Sequence, residues 1–165
     1  MKKLLLFFGF ILSFCTYACG AAPAAPAAGN TAKPATAVSV EVKVKKVVLT
    51  INGKQAVLDL YDTPVSNALY AKLPLTLTFS DFNNTEKIAR LDNPIHEGYK
   101  PEGHAPKVGD LCLYAPWGNL CFFYHDYRHS GDLFSLGRLE SGLELLTAQQ
   151  GDFTVKLEPL SVPNK

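Results

Sequence analysis

The sequence lacks the features that would direct it to nucleic acid or through a membrane. Its 165 residues include 16 Lys and Arg against 15 Asp and Glu, so it has no basic surplus of the kind that binds nucleic acid. Its apolar run over residues 4–17 is shorter than the roughly 20 residues that a membrane-spanning helix needs. We therefore expect neither a nucleic-acid partner nor a spanning helix.

Several motifs that carry catalysis or cofactors are also missing. The chain has no glycine-rich phosphate loop, no paired zinc cysteines and no nucleophile elbow. The sequence predicts no cofactor and no internal repeat. What remains is a single domain from residue 38 onward, since about 125 residues suffice for one hydrophobic core.

The first twenty residues predict an export signal. A basic start precedes the apolar run, and small residues end that run at Ala18-Cys19-Gly20. This ending resembles the bacterial lipoprotein signal, in which the cysteine is lipidated and becomes the mature N-terminus. The resemblance implies a signal peptide over residues 1–18 and a lipid anchor on Cys19. Thr16 stands where that family usually has leucine, and Cys15 is a rival cysteine.

The alternative to lipidation is plain secretion, with cleavage after Gly20 or Ala22. Both readings export the protein, but only the two or three acyl chains of a lipidated cysteine would hold it stably on a membrane. Gly20 is not the Asp associated with inner-membrane retention, which implies an outer-membrane protein facing the periplasm if the cell has two membranes. Residues 19–37 have almost nothing to bury, and we predict a disordered, lipid-anchored Ala/Pro-rich linker.

Residues 38–165 are predicted to form a domain made mostly of strands. Valines alternate with other residues over 38–44, and the phase changes near Lys45-Lys46, which indicates a bulge or two successive strands. Asn52-Gly53 is a strong hairpin signal, because both central residues of a type I′ turn need positive φ. Residues 47–51 should then pair with residues 54–61.

The remaining segments predict two short helices and further strands. Asp62-Thr63-Pro64 predicts a helix that is capped by Asp62 or Thr63, begins at Pro64 and runs to about Lys72, before Leu73-Pro74. Ser141 and Glu144 have capping-box spacing, which predicts a second helix that closes at Gly151. The further strands are 75–80, 85–91, two around Trp117-Gly118, 132–139 and 153–159. Residues 92–109 form a long loop, a length that is uncommon unless it serves a site.

This count of about eight strands and two short helices predicts a closed antiparallel eight-stranded barrel with two short capping helices. With Trp117-Gly118 as a two-residue turn, Cys112 and Cys121 would be diagonal neighbours about 7 Å apart, too far for an unstrained disulfide. A shift of the turn by one residue would place them directly opposite each other. We expect free thiols.

Three segments resemble a known family: "LYDTPVSNALYAKLPLTLTFSDF", "GDLCLYAPWGNLCFFYHDY" and "LGRLESGLELL". Their order is similar to that of the small bacterial cyclophilin-like proteins, over residues 46–158. The resemblance implies a cyclophilin-type barrel of eight strands capped by two helices, the fold that the strand count predicts separately.

The resemblance also raises prolyl isomerisation, in which an arginine donates to the prolyl nitrogen of a twisted Xaa-Pro bond. The Phe-His-Arg strand motif of true cyclophilins is not present in this sequence. Arg90 is the arginine that we can place beside a pocket, and it is the catalytic residue only if the protein is an isomerase. Its alternative role is a solvated strand residue that pairs with Asp81 or Glu86.

Our leading hypothesis is a ligand-binding cleft on the side of the barrel, for an unknown small molecule or short peptide and without established catalysis. The alternatives are a prolyl isomerase that acts on envelope proteins and a module that docks a protein partner. Apolar walls and convergent polar groups are typical of small-ligand pockets. The predicted ligand-binding residues are Phe79, Asp81, Phe82, Asn83, Arg90, Trp117, Tyr124 and His125.

Histidines offer a further possibility, because imidazole is a common transition-metal ligand. His125 and His129 stand four residues apart, and His96 and His104 lie in the long loop. On a helix His125 and His129 would share a face, but this stretch is typical of a strand that runs into a loop. We therefore predict loop histidines and no metal site.

Overall fold

The computed structural model describes residues 44–161. The predicted signal peptide (1–18), Cys19 and the predicted linker (19–37) lie outside this range, and so do the alternating valines before Val44. Among the described residues, no helix is long and apolar enough to cross a membrane.

Eight antiparallel strands close into a barrel in the order β1-β2-β7-β5-β6-β4-β3-β8. The strands are β1 (Lys45–Ile51), β2 (Lys54–Leu60), β3 (Leu75–Phe82), β4 (Glu86–Arg90), β5 (Asp110–Tyr114), β6 (Asn119–Phe123), β7 (Leu133–Ser141) and β8 (Phe153–Pro159). The helices are α1 (Pro64–Ala71) and α2 (Leu143–Thr147). This architecture confirms the predicted fold: mostly β, a closed antiparallel barrel of eight strands with two short helices.

The first hairpin forms as predicted. Asn52 and Gly53 both have positive φ, 48° and 76°, as a type I′ turn requires. Lys46 pairs with Asp59, and Ile51 pairs with Lys54, which confirms the register. Lys46 Nζ lies 2.8 Å from Asp59 Oδ1.

Helix α1 begins where the sequence predicts. Thr63 Oγ1 accepts a hydrogen bond of 3.2 Å from the Ser66 backbone N–H, and Pro64 occupies the first turn. The Ser66 hydroxyl donates to the Leu136 carbonyl at 2.8 Å, which attaches the helix to β7. Leu69 is buried in the barrel core.

The turn between β5 and β6 differs from the prediction. Tyr114 pairs with Asn119, so residues 115–118 form the loop. A two-residue type I′ turn at 117–118 would need positive φ at both positions, and of these two only Gly118 has it, at 63°. The register is therefore shifted by one residue, and Cys112 lies directly opposite Cys121.

The start of α2 also differs. Ser141 is the last residue of β7, and Gly142 takes the N-cap position with a φ of 86° and no side-chain capping bond. A glycine is required there because an added Cβ would lie 2.4 Å from Ala56 Cβ. The capping-box prediction for Ser141 and Glu144 is therefore wrong, since the ladder with β2 keeps Ser141 extended.

Apolar side chains fill the barrel and also cover part of its outside. The interior is filled by residues such as Leu49, Leu58, Phe79, Leu111, Phe122, Leu136 and Leu157. A second, smaller apolar cluster contains Cys112, Cys121, Phe123 and Leu133. Because alternate residues of β5 and β6 belong to different clusters, these two strands are buried on both faces.

Candidate functional site

A cleft lies on the outside of the barrel, over strands β4 and β6. Leu120 and Phe122 of β6 belong to the barrel core, so their neighbours Cys121 and Phe123 face outward. On β4, Glu86 lies opposite Phe123 and shares this outer face. The base of the cleft is therefore made by two paired strands, which hold its side chains in fixed positions.

The cleft has a volume of about 250 Å³. Its lining is mainly aromatic and aliphatic, and its most polar side chains are those of Glu86, Asn119, Arg128 and Ser130. The remaining lining residues are Phe82, Ile88, Tyr114, Trp117, Cys121, Phe123, Tyr127 and Leu133. An apolar concavity with a few polar groups is the usual composition of a small-ligand site.

Aromatic rings form the walls of the cleft. The Trp117 ring stands edge-on to Phe82, with centroids 5.7 Å apart, and edge-on to Tyr114, with centroids 5.4 Å apart. Phe123 and Tyr127 stack at 6.1 Å. Trp117 is nevertheless 49% exposed, so a large apolar surface is held in place and remains open to solvent.

The long loop over residues 92–109 positions the segment that follows β6. The Tyr127 backbone N–H donates to the Pro106 carbonyl at 2.9 Å, and His104 and Ser130 exchange backbone hydrogen bonds of 3.0 and 2.9 Å. Asp126 accepts from Lys107 Nζ at 2.8 Å. The loop thereby holds one wall of the cleft without lining it.

Two buried polar atoms at the cleft have no hydrogen-bond partner among the described residues: Glu86 Oε2 and Asn119 Oδ1. The Asn119 side chain uses its amide nitrogen, which donates to Cys121 Sγ at 3.2 Å. Burial raises the pKa of Glu86 above its ordinary value, and its contact with Cys121 offsets part of that rise. Both unpartnered atoms are hydrogen-bond acceptors.

The two cysteines are free and buried. Burial raises the pKa of the Cys112 thiol, and the nearby Asp110 and Glu86 charges raise it further. Burial and Glu86 likewise raise the pKa of the Cys121 thiol. Neither sulfur is therefore an activated nucleophile, because the thiolate is the reactive form.

The predicted site residues do not share one cleft. Phe82 and Trp117 line the aromatic cleft. Phe79 is fully buried in the barrel core, where its ring packs 5.6 Å from Phe122 and 6.0 Å from Phe153, so it cannot form a cleft wall. The predicted single grouping of these residues is corrected, while ligand binding itself stays a prediction.

Asp81 and Tyr124 meet in a different depression, of about 350 Å³. The Tyr124 hydroxyl donates to Asp81 Oδ2 at 2.6 Å, and Lys87 Nζ donates to the same oxygen at 2.8 Å. The His125 ring lies 5.0 Å from the Tyr124 ring. Asn83 has a φ of 52° in the turn between β3 and β4, and it lines neither the aromatic cleft nor the depression that contains Asp81 and Tyr124.

Arg90 lies in a third groove, of about 470 Å³, with Asp92, Asp152 and hydroxyl side chains of β3. Ile88 lines both this groove and the aromatic cleft and separates them. Within residues 44–161, Arg90 belongs to none of the ion pairs, so it pairs with neither Asp81 nor Glu86, the partners of its alternative role. It is exposed at the end of β4.

The four histidines do not converge. His104 Nε2 lies 2.9 Å from Asp110 Oδ2, and the His96 ring packs 5.9 Å from the Phe134 ring. His129 lies beside Gly103, and His125 packs on Tyr124. Within residues 44–161, no group of three His, Cys, Asp or Glu side chains is arranged to hold a metal ion.

Sequence reasoning missed several residues of the aromatic cleft: Glu86, Asn119, Tyr114, Phe123, Tyr127 and Arg128. A signal for some of them was present, because Asn119, Cys121 and Phe123 alternate with the core residues of a strand that is apolar at nearly every position. The outward-facing apolar side chains of such a strand must be shielded from water by other segments, and a cleft can form between the strand and those segments.

Comparison with known proteins agrees with this architecture. The sequence profile of the Cyclophilin-like family matches residues 49–158, more than half of the chain. The solution structure of the hypothetical protein AF2241 from Archaeoglobus fulgidus is similar, with a TM-score of 0.58 and 14% identity over 73% of this chain and 98% of that one. At this identity the likeness shows the fold alone. No curated protein matches the chain.

Proposed function

The chain belongs to the cyclophilin-like family, and from this membership we propose that it is a binding domain whose aromatic outer cleft takes a small molecule or a short peptide. The observation that carries the proposal is the Trp117 side chain, which is half exposed yet fixed by edge contacts with Phe82 and Tyr114. An ordered apolar wall that remains accessible is costly to leave in water and is typical of a ligand site.

A thermal-shift screen of small molecules and short peptides tests the proposal. A ligand at a hundred times its dissociation constant stabilises the folded state by about 2.7 kcal/mol, which is readily detected. Trp117 is the single tryptophan in the chain, so fluorescence changes on binding report on the cleft.

Two variants distinguish the cleft from the rest of the surface. Trp117→Ala should abolish the stabilisation, while Tyr99→Ala should preserve it, since Tyr99 is 50% exposed but lies outside the aromatic cleft. Ligands that stabilise Trp117→Ala as strongly as the parent chain would argue against the cleft.

Prolyl isomerisation is not part of the proposal, because Arg90 lines a groove other than the aromatic cleft. A protease-coupled isomerisation assay tests whether the protein is a prolyl isomerase. A catalysed rate that disappears in Arg90→Ala, with Lys54→Ala as an exposed control, would restore the enzyme hypothesis.

The proposal includes location. The Ala18-Cys19-Gly20 ending supports an exported protein, lipid-anchored through Cys19 in the cell envelope and facing the periplasm from the outer membrane if there are two membranes. Mass spectrometry of detergent-extracted protein should find a mature N-terminus at Cys19 with attached acyl chains. An unmodified N-terminus beyond Cys19 would contradict the lipid anchor and support plain secretion instead.

A further inference from the structure

We propose that the aromatic cleft binds an organic ammonium group on the side lined by Glu86 and Asn119, while its carbon chain lies between the aromatic walls. This inference rests on the proposed function, because it names the chemical class of ligand for the same cleft. The chemistry is that of an alkylammonium ion, present in free amines and in lysine side chains.

The first argument is hydrogen bonding. Asn119 is 2% exposed, and its Oδ1 has no donor within the described residues; the same is true of Glu86 Oε2. Buried polar atoms in folded proteins nearly always have a partner. An amide oxygen and a carboxylate oxygen both accept hydrogen bonds, so a group that brings donors would satisfy them.

The second argument is charge. Within residues 44–161, none of the ion pairs includes Glu86. Its neighbour Lys87 points to the other face of β4, where Asp81 holds it at 2.8 Å. A partly buried carboxylate without a counter-charge is unfavourable. A cation in the cleft would supply that counter-charge.

The third argument is the character of the walls. The faces of Trp and Tyr attract cations, and Trp does so most strongly. The protein already uses this interaction nearby, with Lys87 Nζ 5.3 Å from the Tyr124 ring centre and the Arg128 guanidinium 5.4 Å from that of Tyr127. The volume of about 250 Å³ lies below the roughly 300–1,000 Å³ of most ligand sites and suits one short alkylammonium chain.

Arg128 is the rival cation, because it lines the same cleft. Its guanidinium lies over Tyr127, and none of the ion pairs within residues 44–161 includes Arg128. Removing Arg128 therefore separates two cases: a cleft built for an external cation, and a cleft that Arg128 itself completes.

The experiment titrates the full chain, in detergent if it is lipidated, with three probes of similar size: pentylammonium, 1-pentanol and pentanoate. Trp117 fluorescence is the readout. We expect pentylammonium to bind at least about tenfold more tightly than 1-pentanol, and pentanoate to give no saturable response. Nα-acetyl-lysine methylamide distinguishes a lysine side chain from a free amine as the source of the ammonium group.

Variants distinguish binding at Glu86 from a general attraction of cations to the protein surface. Glu86→Gln should remove the preference for pentylammonium over 1-pentanol, while Glu97→Gln, which removes the same charge from an exposed loop position, should preserve it. Arg128→Ala should tighten pentylammonium binding, since it removes a repelling cation. Thermal unfolding of each variant confirms that it is folded.

Three results would overturn the assignment. If 1-pentanol or pentanoate saturates the Trp117 signal as tightly as pentylammonium, the cleft binds ligands but is not a cation site. If none of the probes gives a saturable signal, the ammonium assignment fails, while the proposed cleft stands or falls by the thermal-shift screen and Trp117→Ala. If Arg128→Ala is unfolded or strongly destabilised and the parent chain binds no cation, Arg128 is the partner of Glu86.

Discussion

Lys87 Nζ lies 2.8 Å from Asp81 Oδ2, although the Lys87 residue is only 4% exposed. The ammonium also donates to the Gln149 carbonyl at 3.0 Å and lies 5.3 Å from the Tyr124 ring centre. Lysine is almost never this buried unless it is paired. Asp81 is therefore the counter-charge that allows a lysine to stand at an inward position of β4.

Replacing Asp81 by Asn should destabilise the fold by about 1.5–3 kcal/mol, because the Lys87 ammonium would lose its charged acceptor. The matched control is Asp126→Asn, which weakens the exposed pair with Lys107 and should cost less than about 1 kcal/mol. Each aspartate also accepts one backbone N–H, and Asn can keep that bond. Urea unfolding at neutral pH measures both variants; equal losses would contradict the role given to Asp81.

The same carboxylate makes stability depend on acid. Partial burial would raise the pKa of Asp81, but hydrogen bonds from Lys87, Tyr124 and the Asn84 N–H outweigh it and lower the pKa below its ordinary value. The unfolded state then binds more protons, so this contribution is present above the ordinary Asp pKa and is lost as pH falls through and below it. Asp81→Asn should show a shallower loss of stability on acidification than the parent chain, measured by urea midpoints.

Tyr124 gives a prediction at the alkaline end. Partial burial and the hydrogen bond that its hydroxyl donates to Asp81 raise the pKa of Tyr124 to about 12. The folded state keeps this proton while an unfolded tyrosine loses it near pH 10, so the stabilising contribution is present below about pH 10 and is lost as pH rises toward 12. Absorbance of tyrosinate should show a late-titrating group that is absent in Tyr124→Phe and shifted down in Asp81→Asn. An unchanged titration in Tyr124→Phe would contradict this assignment.

Gly137 is a position where the closure of the barrel leaves no room for a side chain. An added Cβ would lie 2.3 Å from the Asp59 carbonyl oxygen and 3.0 Å from Leu60 Cα, both backbone atoms of the paired strand. Gly137→Ala should therefore destabilise the protein by about 1–3 kcal/mol or more. Gly131→Ala, where nothing lies within 4 Å, should be neutral or stabilise by up to about 1 kcal/mol. Denaturant unfolding of the two variants would contradict this reasoning if their order were reversed.

Local rules predicted the parts of the fold that local geometry determines. The β1–β2 register follows from Asn52-Gly53, because the turn type requires positive φ at both residues and the pairing follows from the turn. The β5–β6 register could not be obtained in this way, since Trp117 does not adopt the positive φ that a two-residue turn would need. Similarly, the capping-box spacing of Ser141 was overridden by a tertiary contact, the pairing of β7 with β2.

The candidate site was less accessible to sequence reasoning, because it depends on which strands become neighbours. Phe79 and Phe82 lie close in sequence, yet their positions differ by an odd number, so one enters the core and the other faces the cleft. The alternation of side chains along β3 was enough to predict this difference. The contact between Trp117 and Phe82 could not be predicted in the same way, because it requires β4 to lie between β3 and β6, and no local pattern gives that strand order.

Cys112 and Cys121 allow the β5–β6 register to be tested chemically. They lie directly opposite each other, are free and are buried, and burial raises the pKa of both thiols. Only the thiolate reacts with alkylating reagents, so labelling of either residue should require opening of the strands. We expect iodoacetamide to modify both at least roughly 100-fold more slowly in the folded chain than in urea.

Mass spectrometry assigns the label to each cysteine, so Cys15 and Cys19 do not obscure the measurement. Lys100→Cys provides an exposed thiol on the same domain as the reference for fast labelling. Labelling of Cys112 as rapid as that of the Lys100→Cys thiol would mean that the outer cover of β5 and β6 is open in solution. A disulfide between Cys112 and Cys121 would also protect both, and it is distinguished by the loss of two hydrogens from the intact mass and by labelling in urea only after reduction. Slow labelling without that mass change is the result that follows from two strands buried on both faces with their thiols reduced.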